Sequence, residues 1–257
     1  KMYDNRRRKH TMKTKVWAHR GASGYMPENT LPSFQKAVEL GADGVELDIQ
    51  LSKDGEIVVC HDEELDRTSN AKGWLKDYTL AELKEMDFSY QFKELGKVSI
   101  PTMKEVFELL KPTNLIINIE LKTGIFDYEG IEEKIVALTH AEGFEDRVIY
   151  SSFNHYSIMK IQELDPNAKT AFLYSDGPLD MPLYGYEHHV NALHPAAYNL
   201  RLPDFMEECN VYHLDVNVWT VNTEEIALMC LKYGVNTLIT NYPDRIKKVI
   251  EKYETGI

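Results

Sequence analysis

From Val16 onward the chain repeats one pattern, a short apolar run followed by a longer amphipathic one. The runs Val16–Arg20, Val45–Ile49, Leu115–Leu121, Arg147–Phe153, Thr170–Tyr174, Val190–His194, Val216–Val221 and Thr237–Thr240 are short and mostly apolar, and read as eight strands. Helical periodicity fills the connections at Leu31–Leu40, Ile131–Glu142, His155–Leu164, Pro203–Glu208, Glu224–Tyr233 and Asp244–Tyr253, with Thr79–Met86 and Met103–Leu110 in a longer second connection. Asn29 or Thr30, Asn154 and Thr223 are placed to cap helix starts, and Gly41, Gly143 and Gly234 to end helices. The fifth crossover, SDGPLDMPLYGYEH, is rich in Gly and Pro and is expected to be a loop or one helical turn. A helical crossover returns the chain to the same end of the sheet, so strands joined this way run parallel. Eight such units close as an α/β (β/α)8 TIM barrel.

A barrel of this kind fills 257 residues as one domain, 13–257. Residues 63–100 exceed an ordinary crossover and are expected to form an insertion after the second strand, on the catalytic rim, shaping access for substrate. Residues 1–12, KMYDNRRRKHTM, are basic and lack the apolar core of a secretory signal; they read as a disordered tail or an artificial extension, with Met12 as a natural start. No apolar run approaches the ~18 residues of a membrane span, so stable membrane insertion is not expected. A net charge of −12 disfavours nucleic acid as a partner. Three widely separated cysteines, Cys60, Cys209 and Cys230, fit neither a disulfide framework nor a metal motif and suit a reducing, cytoplasmic setting. Nothing in the sequence specifies an oligomeric state.

Residues two apart on a strand share a face, which pairs Glu46 with Asp48, Glu120 with Lys122, and Trp17 with His19 at the C-terminal ends of three strands. Charges inside runs as apolar as VELDI and LIINIELK are costly unless paired or metal-bound. One such pair alone reads as a salt bridge in the barrel; two pairs with His19 read as a site. Glu46, Asp48 and Glu120 converging on one point make a hard oxygen site for a divalent cation, Ca²⁺ or Mg²⁺. Such a cation also gives an acidic chain the positive centre that an anionic substrate needs. Arg20 can grip a phosphate bidentately, with Glu28 or Glu46 as its alternative partners, and Lys122 can offset phosphate charge.

Asp54–Gly55 is a favoured two-residue hairpin turn. It would set Lys53 opposite Glu56, Leu51 opposite Val58 and Asp48 opposite His61, returning His61 to the rim. His19 and His61 are then the candidates for general acid and base. Trp219 and Phe153, with Tyr174, are possible pocket walls, and His194 is a weak pocket candidate. The single glycine-bearing loop around Gly21 and Gly24 makes a poor nucleotide cradle, and Ser151–Ser152 lacks the glycines of a nucleophile elbow.

The block HRGASGYMPENTLPSFQKAVELGADGVELDIQLSKDGEIVVCHD resembles the opening signature of the glycerophosphodiester phosphodiesterase family. IPTMKEV at Ile100, NIELK at Asn118, SSF at Ser151, WTVN at Trp219 and LITNYP at Leu238 extend the likeness to about Pro243. The resemblance implies a (β/α)8 barrel with an insertion after the second strand and hydrolysis of glycerophosphodiesters, small-molecule substrates, to an alcohol and glycerol 3-phosphate. It also implies metal ligands at Glu46, Asp48 and Glu120, catalytic histidines at His19 and His61, and phosphate-binding groups at Arg20 and Lys122. A mechanism akin to the phosphatidylinositol-specific phospholipases C is implied, one histidine accepting the nucleophile's proton and the other donating to the departing alcohol. Asn241 departs from the family's usual Asp after the last strand, a change expected to touch only a minor rim contact. A lysophospholipase D-like enzyme on longer lipids is a second expectation, suggested by Tyr90, Phe92 and the basic tail; a catalytically silent barrel that binds phosphorylated ligands is a third, from another class.

Overall fold

The computed structural model describes residues 13–256. The expectation for the basic tail, residues 1–12, lies outside the described residues. Eight parallel strands form a closed barrel: β1 (Lys15–His19), β2 (Gly44–Leu51), β4 (Ile116–Leu121), β5 (Val148–Ser152), β6 (Lys169–Tyr174), β7 (Ala192–Pro195), β8 (Asp215–Val218) and β9 (Thr237–Thr240). Neighbours pair in that order, and β1 closes the ring by pairing with both β2 and β9. A ninth strand, β3 (Ile57–Val59), runs antiparallel to β2 outside the ring. Helices α1 (Leu31–Glu39), α3 (Met103–Leu110), α4 (Ile131–Glu142), α5 (His155–Leu164), α6 (Met181–Glu187), α7 (Phe205–Val211), α8 (Glu224–Tyr233) and α9 (Pro243–Thr255) fill the crossovers. The first turns of α1, α5 and α8 are capped by Thr30, Asn154 and Thr223, whose side chains accept backbone N–H groups.

Strand β2, GVELDIQL, is buried along its whole length, as a barrel strand covered on both faces must be. Val45, Leu47 and Ile49 join the core beneath the helices with Phe34, Val106 and Phe107, while Glu46, Asp48 and Gln50 take the other face. Two elements differ from expectation. The fifth crossover forms a true helix, α6, and α7 begins at Phe205 because Asp204 stands at φ +59°, a left-handed conformation no helix can include.

The hairpin register also differs. The loop between β2 and β3 has three residues, Lys53 to Gly55, not two: Ser52 N–H donates to Glu56 O (3.0 Å), Gly55 N–H donates to Ser52 O (2.9 Å), and Gly55 stands at φ +80°. This is the turn-plus-bulge loop, fixed here by Asp54, whose carboxylate accepts from Ser52 Oγ and from Leu80 N–H. Leu51 therefore faces Ile57, and Asp48 pairs with Cys60 instead of His61. Between β3 and α3 the chain forms α2 (Leu80–Glu85) and two short 3₁₀ turns around a small core of its own, Val58, Cys60, Leu65, Leu75, Leu83, Phe88 and Ile100.

Gly44 opens β2 where a Cβ would lie 2.6 Å from the Trp17 ring and 2.7 Å from Ile116 O. Gly44→Ala is expected to destabilise the protein by about 1–3 kcal/mol through overpacking, seen as a fall in Tm of several degrees by circular dichroism. An unchanged Tm would mean that Trp17 moves aside freely.

Candidate active site

The acidic side chains of β2 and β4 meet at the C-terminal mouth of the barrel. Register places Glu46 beside Asn118 and Asp48 beside Glu120, and one carboxylate oxygen from each of Glu46, Asp48 and Glu120 lies within 4.8 Å of the other two. All three are buried. Burial, then the charges of Asp48 and Glu120, push the Glu46 carboxyl well above the usual carboxylate range; burial and Asp48 raise Glu120 as well. Burial acts on Asp48 in the same direction, but His61, Arg20, Lys122 and the Asn29 amide outweigh it and hold that group ionised. Asp48 Oδ1 is buried without a hydrogen-bond donor, an acceptor left free within the acidic cluster. Three carboxylates with a spare inward oxygen fit a hard divalent cation, which binds six or more oxygen ligands and accepts the remainder from water or a phosphoryl group.

Backbone geometry at the end of β1 brings the cations to this cluster. Arg20 stands at φ +56° and Gly21 at +77°, where a Cβ would lie 2.3 Å from Ser33 Oγ; the chain turns sharply there, and Arg20 N–H donates to Glu46 Oε2 (2.9 Å). The Arg20 guanidinium donates to Glu28 Oε1 (2.8 Å) and lies 3.5 Å from Asp48 Oδ2. Asn29, also left-handed at φ +56°, donates from Nδ2 to Asp48 Oδ2 (2.8 Å). Lys122 donates to Glu120 Oε1 (3.0 Å) and lies 3.3 Å from His61 Nε2. Burial pulls the Lys122 ammonium down, yet Glu120 and Asp48 more than restore it, so it stays charged.

Both histidines turn a ring nitrogen toward these groups. His19 Nδ1 donates to Asn241 Oδ1 (2.7 Å), which leaves Nε2 3.9 Å from Glu46 Oε2. Burial and the neighbouring Arg20 pull His19 down to about 4, so it is neutral at pH 7. His61 donates from Nδ1 to Asp62 Oδ1 (2.6 Å) and presents Nε2 to Lys122. His61 does not arrive through strand pairing, since β3 ends at Val59. Instead the buried Gln50 amide, held through its oxygen by Tyr128 Oη (2.7 Å), donates to the carbonyls of Cys60 (2.9 Å) and Asp62 (2.8 Å) and bends the chain toward the mouth.

A cleft of about 50 Å³ lies among His19, Arg20, Glu46, His61, Glu120 and an apolar wall of Phe153, Leu173, Trp219 and Ile239. Phe153 and Trp219, named as possible pocket walls, both line this cleft and meet edge to face at 5.6 Å. Tyr174 points away into the helix layer, where it lines a separate cavity with Leu179 and Tyr184. His194 is fully buried, accepts from Asn217 Nδ2 (2.9 Å) and does not line the cleft. Sequence reasoning named Glu28 as a partner for Arg20, as found, and Asn29 only as a cap; it missed Gln50, Asp62 and Tyr128, and undervalued Asn241, which orients His19. Gln50 and Asp62 lie inside the motif-rich first block and could have been marked; Tyr128 carries no local signal.

Comparison with known proteins agrees with this geometry. Residues 19–245 match the model of the glycerophosphoryl diester phosphodiesterase family. The glycerophosphodiester phosphodiesterase of Caldanaerobacter subterraneus is 43% identical over 94% of this chain and 99% of its own, and that of Bacillus altitudinis is 42% identical over 93% and 99%. Among solved structures, an Oleispira antarctica phosphodiesterase in complex with the product sn-glycerol-3-phosphate superposes with a TM-score of 0.83 at 29% identity, over 94% of this chain and 98% of that one.

Because burial and the neighbouring Asp48 and Glu120 raise the Glu46 carboxyl, divalent-cation binding, which favours the ionised form, is expected to be coupled to proton release and to weaken as pH falls. Calorimetric titration in two buffers of different ionisation enthalpy measures this. Heats that do not depend on the buffer would show the cluster already ionised.

Proposed function

The chain belongs to the glycerophosphoryl diester phosphodiesterase family, and from that membership we propose that it hydrolyses glycerophosphodiesters to an alcohol and glycerol 3-phosphate with a divalent cation and two histidines. The observation that carries the reading is the cleft lined by His19, Arg20, Glu46, His61 and Glu120, with Asp48 joined to Glu46 and Glu120 in one carboxylate cluster. Glu46, Asp48 and Glu120 would hold Ca²⁺ or Mg²⁺. When bound, the cation would polarise a phosphoryl oxygen and ease deprotonation of the attacking glycerol hydroxyl, whose attack on phosphorus expels the alcohol and leaves a cyclic phosphate that water then opens to glycerol 3-phosphate. Arg20 and Lys122 take the phosphoryl oxygens that remain. His19, neutral at working pH with its Nδ1 proton committed to Asn241, accepts the nucleophile's proton at Nε2. With phosphate in the cleft Lys122 turns to it, and His61, backed by the Asp62 carboxylate, delivers a proton to the departing alcohol. The three free cysteines, all buried, suit the cytoplasmic setting that we propose. No helix among the described residues is long and apolar enough to cross a membrane.

A second substrate reading, lysophospholipids, draws on apolar side chains exposed on the loops that follow β5, β6 and β7: Phe153, which also walls the cleft, is 45% exposed, Leu179 89% and Tyr198 55%. Its other supports do not carry it, since Tyr90 lies against Arg67 and the basic tail lies outside the described residues. Relative turnover of glycerophosphocholine and lysophosphatidylcholine separates the two, with the former expected to be faster.

Chelation followed by gel filtration is expected to abolish release of glycerol 3-phosphate, and added Ca²⁺ or Mg²⁺ to restore it; full activity in the stripped protein would remove the cation from the mechanism. His19→Ala and His61→Ala are each expected to lower kcat by roughly 100-fold or more. A p-nitrophenyl leaving group needs no proton donor, so it should rescue His61→Ala and not His19→Ala. Rescue of both or neither would undo the assignment of roles.

A further inference from the structure

Arg67 belongs to no part of the mechanism above, yet its side chain joins two parts of it. It follows β3 beside the small side core, an exposed residue between buried Leu65 and Thr68, and its guanidinium lies 5.7 Å from the centre of the Tyr90 ring. One edge grips Asp62, with Nε donating to Oδ2 (2.6 Å) and Nη2 to Oδ1 (2.9 Å). The other edge grips Glu28, with Nη1 donating to Oε2 (2.7 Å) and Nη2 to Oε1 (2.7 Å). Asp62 Oδ1 is also the atom that accepts from His61 Nδ1, and Glu28 Oε1 the atom that accepts from Arg20 Nη1. The result is an unbroken chain of charge-assisted hydrogen bonds: His61, Asp62, Arg67, Glu28, Arg20.

We propose that Arg67 is a positioning residue, one guanidinium that aligns the imidazole of His61 and the guanidinium of Arg20 together by holding Asp62 and Glu28. This rests on the reading of His61 as proton donor and Arg20 as phosphate-binding group.

The requirement is electrostatic and geometric. Asp62 and Glu28 are two anions beside a cluster of three more, and without a cation between them they repel each other and the acidic centre. Each would then leave its partner, and the partners would lose their orientation. Lysine cannot substitute, because only a planar fork offers parallel N–H pairs to two carboxylates at once. The side core holds the backbone on both flanks of Arg67 and thereby gives residues 63–100 a part in catalysis that needs no contact with substrate. Neither Asp62 nor Glu28 belongs to the carboxylate cluster, so the clamp acts through the groups it aligns, on turnover and phosphate binding, and not as a cation ligand.

Steady-state kinetics on glycerophosphocholine at saturating Ca²⁺ test this with Arg67→Lys, Arg67→Met, Glu28→Gln, Asp62→Asn and the Glu28→Gln/Asp62→Asn double variant, the last three also in the Arg67→Met background. Both Arg67 variants are expected to lose on the order of 10–100-fold in kcat, the scale of a small misplacement of catalytic groups, and to raise KM severalfold. With Arg67 present, the losses from Glu28→Gln and Asp62→Asn should be non-additive in kcat/KM by at least about fivefold, since either one disables the clamp. In the Arg67→Met background they should become additive. Additive losses in the native background, or Arg67 variants within threefold of the native kcat, overturn the proposal. Should Arg67→Met fail to fold by circular dichroism, the same cycle in Arg67→Lys decides it. His61→Ala is run alongside: if it stays active the parent reading fails, and if it is inactive while the Arg67 variants are not, only the clamp fails.

Discussion

Mutual repulsion among three buried carboxylates organises this molecule. Glu46, Asp48 and Glu120 come together at the mouth of the barrel, away from bulk water, where each negative charge raises the cost of the next. The surroundings answer that cost directly: Arg20 and Lys122 approach from the side, the Asn29 amide and the Arg20 backbone N–H supply hydrogen bonds, and an inward oxygen of Asp48 is left over. A cluster like this has little to contribute to stability, since replacing buried charges by packed apolar groups is often neutral or better. Its persistence in an otherwise apolar strand is what the proposed cation and anionic substrate would explain.

Around the carboxylates, hydrogen bonds do the aiming. Each histidine spends Nδ1 on a fixed acceptor and keeps Nε2 for the cleft, but the acceptors differ: a neutral amide behind His19 and a carboxylate behind His61. Two otherwise similar rings thereby differ in the partner behind them, an asymmetry that the proposed acid–base pair would use. Left-handed backbone at Arg20 and Asn29 serves the same end, since only a sharp turn at the end of β1 lets both residues face the strand next door.

The barrel itself was legible from the chain. Strand and helix periodicity are local properties, readable within ten residues, and all eight barrel strands lie where short apolar runs stand in the sequence. The same period of two put Glu46 and Asp48 on one face, and parallel pairing to β4 then had to bring Glu120 beside them. The hairpin shows where such reasoning stops. Asp54–Gly55 marks a turn, but whether the loop has two residues or three depends on hydrogen bonds from Ser52 and from Leu80, and one residue of slippage moves His61 off the pairing that Asp48 makes.

What the sequence determined alone was the chemistry available: three acids, two imidazoles and two cations at strand ends, because side-chain identity and strand alternation need no knowledge of distant residues. Tertiary structure decided which partner each one keeps. Asn241 stands 222 positions from the histidine it orients, Tyr128 is 78 positions from the glutamine it holds, and Arg67 reaches 39 positions back to Glu28. Contacts of that span are set by closure of the ring and packing of the side core, and no local pattern encodes them.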